Sequence, residues 1–392
     1  MGRDTPASNI TTSPLTDANG PDMQSGRILS DGHPQSTLAK GITVTKKTDR
    51  SNRTGSPAIS RRDFLKMAAA AGLVSGCRAA SPPATTAHPE DIIKIHPEVP
   101  SKVVHVRHAG VWDGDALVPE AIRHMLDTAI TELTGMDDAR TAWATLFAPN
   151  ERIAIKVNAF RNSVIWTHVP LVMAVTDLLQ EAGVPAEQIT IFDCYANELG
   201  EAGFPVNRDG PGVRCYGTDE QYSDEWKVAG HNTRLSDILV GSDALINVPI
   251  LKSHMIAGIT FAMKNHYGSI PNPFDFHRGE RINRGMAELN ALPPIKEHTR
   301  LIIGDVLAAC LRHKHAYPYW SADWTGDSIL MSFDPVAHDM VGFQMFTQLL
   351  TDSGGNPSPA THMATPWLES GAEVGLGTND PDHIDVVEVN LG

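Results

Sequence analysis

Residues 245–268 read LINVPILKSHMIAGITFAMKNHYG. Two apolar runs each stop at a lysine with a histidine two residues on, at Lys252-Ser253-His254 and Lys264-Asn265-His266. An ammonium group holds anions and becomes an acid or base when desolvated, while an imidazole relays protons or ligates metals. Placed at the exits of buried segments, these residues are either solvated loop ends or the two sides of one pocket.

Hydrophobic patterning shows what would position them. Short β-branched runs occur at 102–108, 152–158, 188–193, 244–251, 300–305, 329–334 and 383–390. Between them, 118–133, 168–182 and 334–350 repeat apolar residues at three- and four-residue steps, the helical period. Strand–helix–strand alternation at these spacings predicts an α/β fold: a mainly parallel sheet with helices on both faces, a three-layer sandwich. The stretches 196–232 and 271–298 read as excursions outside it. No GxGxxG follows a strand, so a dinucleotide site has no support.

In open parallel sheets ligands bind beyond the carboxyl ends of the strands. Those ends carry Lys156 and Asn158, Asp193, Lys252 and His254, Asp305, and Asp334. One rim built from them supplies catalytic candidates in Lys252, His254, Lys264 and Asp305. It supplies ligand- or cofactor-holding candidates in Lys156, Asn158 and Asn265, and metal-ligand candidates in His254, Asp193 and Asp305. Period-2 alternation sets Lys156 on one strand face with Ala154 and Asn158, where an ammonium needs a partner or an edge. On a helix over 258–267, Lys264 and His266 point nearly opposite ways, and Lys264 lies over Thr260 and beneath Gly268; Lys264 and Asn265 are favoured over His266.

Plainer roles compete. Asp334 before Pro335 is the pairing of an N-cap with proline at the first helical position. Asp305 and Asp193 also suit strand-end capping, and Lys264 suits a helix C-terminus. His313-Lys314-His315, followed by Tyr317, Tyr319, Trp320 and Trp324, reads as a surface loop, with an aromatic lid over the rim as the alternative.

The amino-terminal quarter has a different character. Residues 1–59 lack periodic apolar content and are expected to be a disordered leader, with a misassigned translation start as the alternative to a functional extension. Ser60-Arg61-Arg62-Asp63-Phe64-Leu65-Lys66, followed by MAAAAGLVSGC, matches a twin-arginine export signal over 60–77. It ends in a lipobox-like Val74-Ser75-Gly76-Cys77, which makes Cys77 the candidate lipidation site. A Pro/Ala-rich tether over 78–101 then leads to an α/β domain over 102–392. The expected partners are the twin-arginine translocase during export and a small-molecule ligand, with membrane contact only through the lipid anchor. The chain carries a formal charge of −14, and without residues 1–76 it has 22 basic and 40 acidic residues, a net of −18. Such a body repels nucleic acid. The cysteines, at 77, 194, 215 and 310, include no CxxC pair; an iron–sulfur cluster is disfavoured, while a metal ion loaded before export is allowed.

The central block resembles the DUF362 family over roughly residues 102–350. A Pro-x-x-Lys-x-His run, then Lys-Asn-x-x-Gly, then Asp-Pro-x-Ala-x-Asp stand at Pro249, Lys252, His254, Lys264, Asn265, Gly268, Asp334, Pro335, Ala337 and Asp339. His338 occupies a position where an aliphatic residue is more usual. The resemblance implies no catalytic roles, since the family's activity is not established. Some similar proteins carry a ferredoxin-like module, for which this chain has no cysteine cluster, and others carry twin-arginine signals. The expectation is an exported metal- or cofactor-dependent enzyme acting on a small polar or anionic substrate. The alternative is a non-catalytic metal- or ligand-binding lipoprotein, and a structural envelope protein explains the signal without the rim.

Overall fold

A computed structural model describes Val44–Lys47, residues 93, 95, 99 and 100, and residues 101–392 apart from 161 and 162. The expected leader (beyond Val44–Lys47), the twin-arginine segment, Cys77 and most of the tether lie outside the described residues.

β-branched runs buried on both faces form the middle of one sheet, as expected where helices cover both sides. Among the described residues its eleven strands are β1 (Val44–Lys47), β2 (Ser101–His108), β3 (Ile153–Lys156), β4 (Ile189–Phe192), β5 (Arg214–Cys215), β6 (Ala244–Asn247), β7 (Ile250–His254), β8 (Gly258–Thr260), β9 (Thr299–Cys310), β10 (Trp324–Ser332) and β11 (Ile384–Leu391). They lie in the order β1-β11-β2-β10-β9-β6-β3-β4-β5, with β7 paired to the outer half of β9 and β8 to β7. Pairing is parallel except at β9–β10, β10–β2 and β7–β8. The sheet is thus mixed and mostly parallel, as the strand–helix alternation implied.

Side-chain alternation builds a core on each face. Ile153 and Ile155 of β3, with Leu301 and Ile303 of β9, pack against helices α1 (Pro119–Thr134), α2 (Ala139–Leu146) and α3 (Val169–Glu181). Ala154 and Leu245 face the other way, into a core completed by α4 (Arg281–Asn290), α5 (Pro335–Asp352) and α6 (Ser358–Glu373). The amphipathic spacing of each helix is what allows it to cover a sheet in this way.

Three local outcomes differ from the sequence-based expectation. The run at 244–251 is two strands, because Pro249 has no N–H to continue the ladder; β6 pairs with the start of β9 and β7 with its far half. The helix expected over 258–267 shrinks to a turn, Ala262–Asn265, entered from β8 and continued by a 3-10 turn over His266–Ser269. The third concerns direction. Because β10 runs antiparallel to β9, Asp334 leaves the sheet at the edge opposite the carboxyl ends of β3, β4 and β6, and it does not belong to the rim. There it caps α5, accepting from Val336 and Ala337 N–H, and it also accepts from Thr378 N–H and the Ser101 hydroxyl. Asp334→Ala leaves these buried donors without an acceptor. The expected loss is about 2 to 3 kcal/mol in denaturant unfolding, with ligand binding at the opposite edge unchanged.

Candidate functional site: a buried lysine centre

The last residue of β3 determines where the chemistry gathers. Lys156 is fully buried and shares its face with Ala154, so its ammonium cannot reach water. It ends instead 2.7 Å from Asp193 Oδ1, just beyond the end of the adjacent β4. It also donates to the Val157 carbonyl and, at 3.4 Å, to Asn265 Oδ1. Asp193 further accepts from the Ala159 and Cys194 N–H groups, which ties down the chain leaving both strands. Gly268 covers this pair, and a Cβ there would collide with the Asp193 carboxylate and the Lys156 ammonium.

From this pair a polar network runs outward. Asn265 Oδ1 also accepts from Asn158 Nδ2 at 3.2 Å, and Asn158 Oδ1 accepts from Lys252 Nζ at 2.7 Å. Asn265 Nδ2 donates to Asn247 Oδ1, and Asn247 Nδ2 donates to the Ala262 carbonyl. Asp339 takes the Ala262 and Met263 N–H groups on its two oxygens, anchoring the turn that presents Lys264 and Asn265. Lys264 Nζ lies 3.1 Å from His277 Nε2 and 4.6 Å from the Tyr267 ring centre. Lys252 Nζ lies 5.6 Å from the Trp320 ring centre, close enough for a cation–π contact. His254 is stacked between His277 and Trp320.

Charge balance is the unusual property of this cluster. Among the described residues, Lys156 has a carboxylate partner and neither Lys252 nor Lys264 has one within ion-pair distance. Both are nearly inaccessible. Burial pulls the Lys252 ammonium down to about 8, and burial with repulsion from Lys252 pulls Lys264 down to about 7.

The histidines are held neutral. His254 Nδ1 accepts from the Ile256 and Ala257 N–H groups, so the ring proton sits on Nε2 and the pocket sees a donor. Burial, then Lys264 and His277, keep its value well below the ordinary one. His277 Nδ1 donates to the Pro273 carbonyl, which leaves Nε2 as acceptor for Lys264; burial and Lys264 lower it to about 4.

The expected residues therefore divide. Lys156, Asn158, Asp193, Lys252, His254, Lys264 and Asn265 join one network. Asp305, expected on the same rim, does not: β9 continues past it to Cys310, and alternation points it with Ile303 and Leu307 toward the α1–α3 face. There it accepts from the backbone N–H and Nδ1 of His168, the residue before α3. The expected metal set of His254, Asp193 and Asp305 is thereby divided between the two faces of the sheet. Asp193 is committed to Lys156 and two N–H groups, and metal bonding at His254 Nε2 would push the proton onto Nδ1, against two N–H donors. No group of three or more His, Cys, Asp or Glu that could hold a metal occurs among the described residues. His266 packs behind the network against Asn247.

Asn247 and Tyr267 carry no expectation from the sequence, although Asn247 is the one polar side chain within its apolar run. His277, in PNPFDFHRGE, reads from sequence as a further possible ligand, like His338, and Trp320 belongs to the stretch read as a surface loop with an aromatic lid as the alternative. Trp320 forms a wall, donating from Nε1 to the Ser253 carbonyl, while His313 and His315 remain with each other at the surface. A cleft of about 480 Å³ opens at the opposite edge beside Arg152, Thr190 and Arg214. It contains none of these groups.

Gly268→Ala forces apart the buried Lys156–Asp193 pair. Its expected cost is about 3 to 5 kcal/mol in denaturant unfolding. Asp305→Asn is expected to leave anion binding at the lysine centre within about twofold of the parent by calorimetry, since any loss of the His168 contact is felt on the other face.

No curated protein matches the chain. Among solved structures it is similar to the lactate racemase apoprotein from Thermoanaerobacterium thermosaccharolyticum, at 9% identity and TM-score 0.33 over 61% of this chain and 55% of that one. It is also similar to a structural-genomics target from Thermotoga maritima, at 10% identity and TM-score 0.35 over 67% of this chain and 60% of that one. The chain thus spans less than two thirds of either structure's length. The segment that builds the lysine centre, residues 153–344, matches the model of the family described as Domain of unknown function (DUF362).

Proposed function

We propose that this chain is an exported member of the DUF362 family whose lysine centre binds a small anionic substrate and moves a proton on it. The observation that carries this reading is the pair of buried ammonium groups, Lys252 and Lys264, without carboxylate partners among the described residues. An anion entering between them supplies the missing charge at little desolvation cost, because the protein has already met that cost. Lys252, oriented by Asn158, holds the anion. Lys264, lowered to about 7, is the acid/base, since catalytic groups work best near the ambient pH. His254 Nε2–H adds a neutral donor. Lys156 and Asp193 position Asn265, and no step requires a metal at His254, Asp193 or Asp305.

Proton linkage provides a test. Because both lysines fall below the ordinary value of 10.5, the unfolded chain binds more protons above about pH 7. The ligand-free protein therefore gains stability from these groups as pH rises from about 7 toward 9. Anion binding favours the charged forms, so affinity falls over the same range. Thermal melts with and without inorganic phosphate or acetate should show stabilisation at pH 6.5 that fades by pH 9. Lys252→Met should abolish it, and an unchanged response in that variant would refute the assignment. Catalysis is separated from capture by NMR in D₂O with a panel of small carboxylates and phosphates. Exchange or conversion lost in Lys264→Met while binding remains supports the enzyme; binding with no reaction across the panel supports the non-catalytic reading.

Export and anchoring rest on the S-R-R-x-F-L-K pattern and the residues ending at Cys77. No described helix is long and apolar enough to cross a membrane. Expressed with its own signal, the protein should fractionate with membranes and Cys77→Ser should release it, while replacing Arg61 and Arg62 by lysine should leave it in the cytosol.

A further inference from the structure

Apolar side chains stand exposed on the segments that wall the lysine centre. Five of the ten large hydrophobic side chains exposed among the described residues are Val164, Met255, Ile256, Phe274 and Tyr317. Four stand on loops and Phe274 on the 3-10 turn Pro273–Phe276, in segments whose inner residues wall the centre. Met255 and Ile256 follow His254 directly, and the Ile256 N–H donates to His254 Nδ1. The Phe274 ring lies 5.9 Å from His277, whose ring stacks 5.3 Å from His254. The Val164 N–H donates to the carbonyl of Trp320, which flanks His254 from the other side at 6.0 Å, and Tyr317 lies three residues before that tryptophan. Phe274 is 71% exposed and Tyr317 68%, so neither is held there by packing of its own.

Clustered exposed apolar groups mark binding surfaces far more often than scattered ones do. A ligand that was only a compact anion would use the ammonium groups and leave this rim in water. A ligand with an anionic head and an apolar body would satisfy both. We propose that the ligand of the lysine centre is an amphiphilic organic anion, with its carboxylate or phosphate head on Lys252 and Lys264 and its apolar body lying across Phe274, Tyr317 and Met255. This deepens the proposed function and rests on it for the head-group site. The charge below the rim is what selects this occupant over a second copy of the chain or a lipid surface.

Calorimetry on the full mature protein at pH 6.5 tests it with two pairs of probes, acetate against octanoate and ethyl phosphate against octyl phosphate, each below its micelle concentration. In at least one pair the long homologue should bind about tenfold tighter or more, from partial burial of several methylenes. That gain should disappear in Phe274→Ser/Tyr317→Ser, whose sites are exposed, while the short homologue binds as before. Lys252→Met, checked for native circular dichroism, should lose both members of the pair. Equal affinity of short and long homologues in both pairs overturns the amphiphile and leaves the anion site standing. Absence of binding by all four probes overturns the anion site as well. Octanol binding as tightly as octanoate, octanoate binding retained in Lys252→Met, sedimentation with phosphatidylglycerol vesicles retained in that variant, or a dimer dispersed by Phe274→Ser would each assign the rim to another occupant and sink the proposal.

Discussion

A lysine at the end of a central strand, out of reach of water, is the constraint from which the rest of the site follows. The Lys156 ammonium is affordable only because Asp193, on the neighbouring strand, meets it at 2.7 Å; an unpaired buried charge would cost several kcal/mol. Asp193 then fastens the first residues beyond both strands through the Ala159 and Cys194 N–H groups. The space over the pair admits no Cβ, which accounts for Gly268. Asn265, bonded to the same ammonium, carries the constraint to Asn158 and through it to Lys252.

Around this anchor the motif residues separate into supports and reagents. Asp339 holds the N–H groups of the turn that bears Lys264, and Asp334 caps the helix on which Asp339 stands. Neither faces the ligand. Pro249 bends the chain so that Lys252 and His254 emerge beside the outer half of β9 rather than in line with β6. Among the described residues, Lys252 and Lys264 have amide, imidazole and aromatic partners but no carboxylate. That arrangement is costly in isolation. His254, with Nδ1 saturated by backbone donors, can serve as a fixed neutral donor and is poorly suited to bind a metal.

Parts of this were legible because they depend on local rules. Alternation along 153–156 put Lys156 beside Ala154, and that face is where the network forms. Proline after Asp334 marked a cap, and the structure contains one. The error at Asp305 has an equally local cause: the strand looked complete at an aspartate, but it continues five residues further, and one residue of alternation places a side chain on the opposite face. The rim count failed at Asp334 because patterning along a strand carries no information about its direction. His277, Tyr267 and Trp320 lie in segments whose position depends on packing against distant elements, so periodicity could not place them.

By itself the sequence determined the class of fold, three of the six long helices and most strands, because apolar period and turn chemistry are properties of short segments. It also determined that lysines and asparagines would stand at strand exits. Tertiary structure decided which of these exits share an edge, which ammonium receives the single aspartate and which two are left for a ligand. These are outcomes of strand direction, register and face, set by the closing of the whole sheet and its two cores, and no short segment contains them.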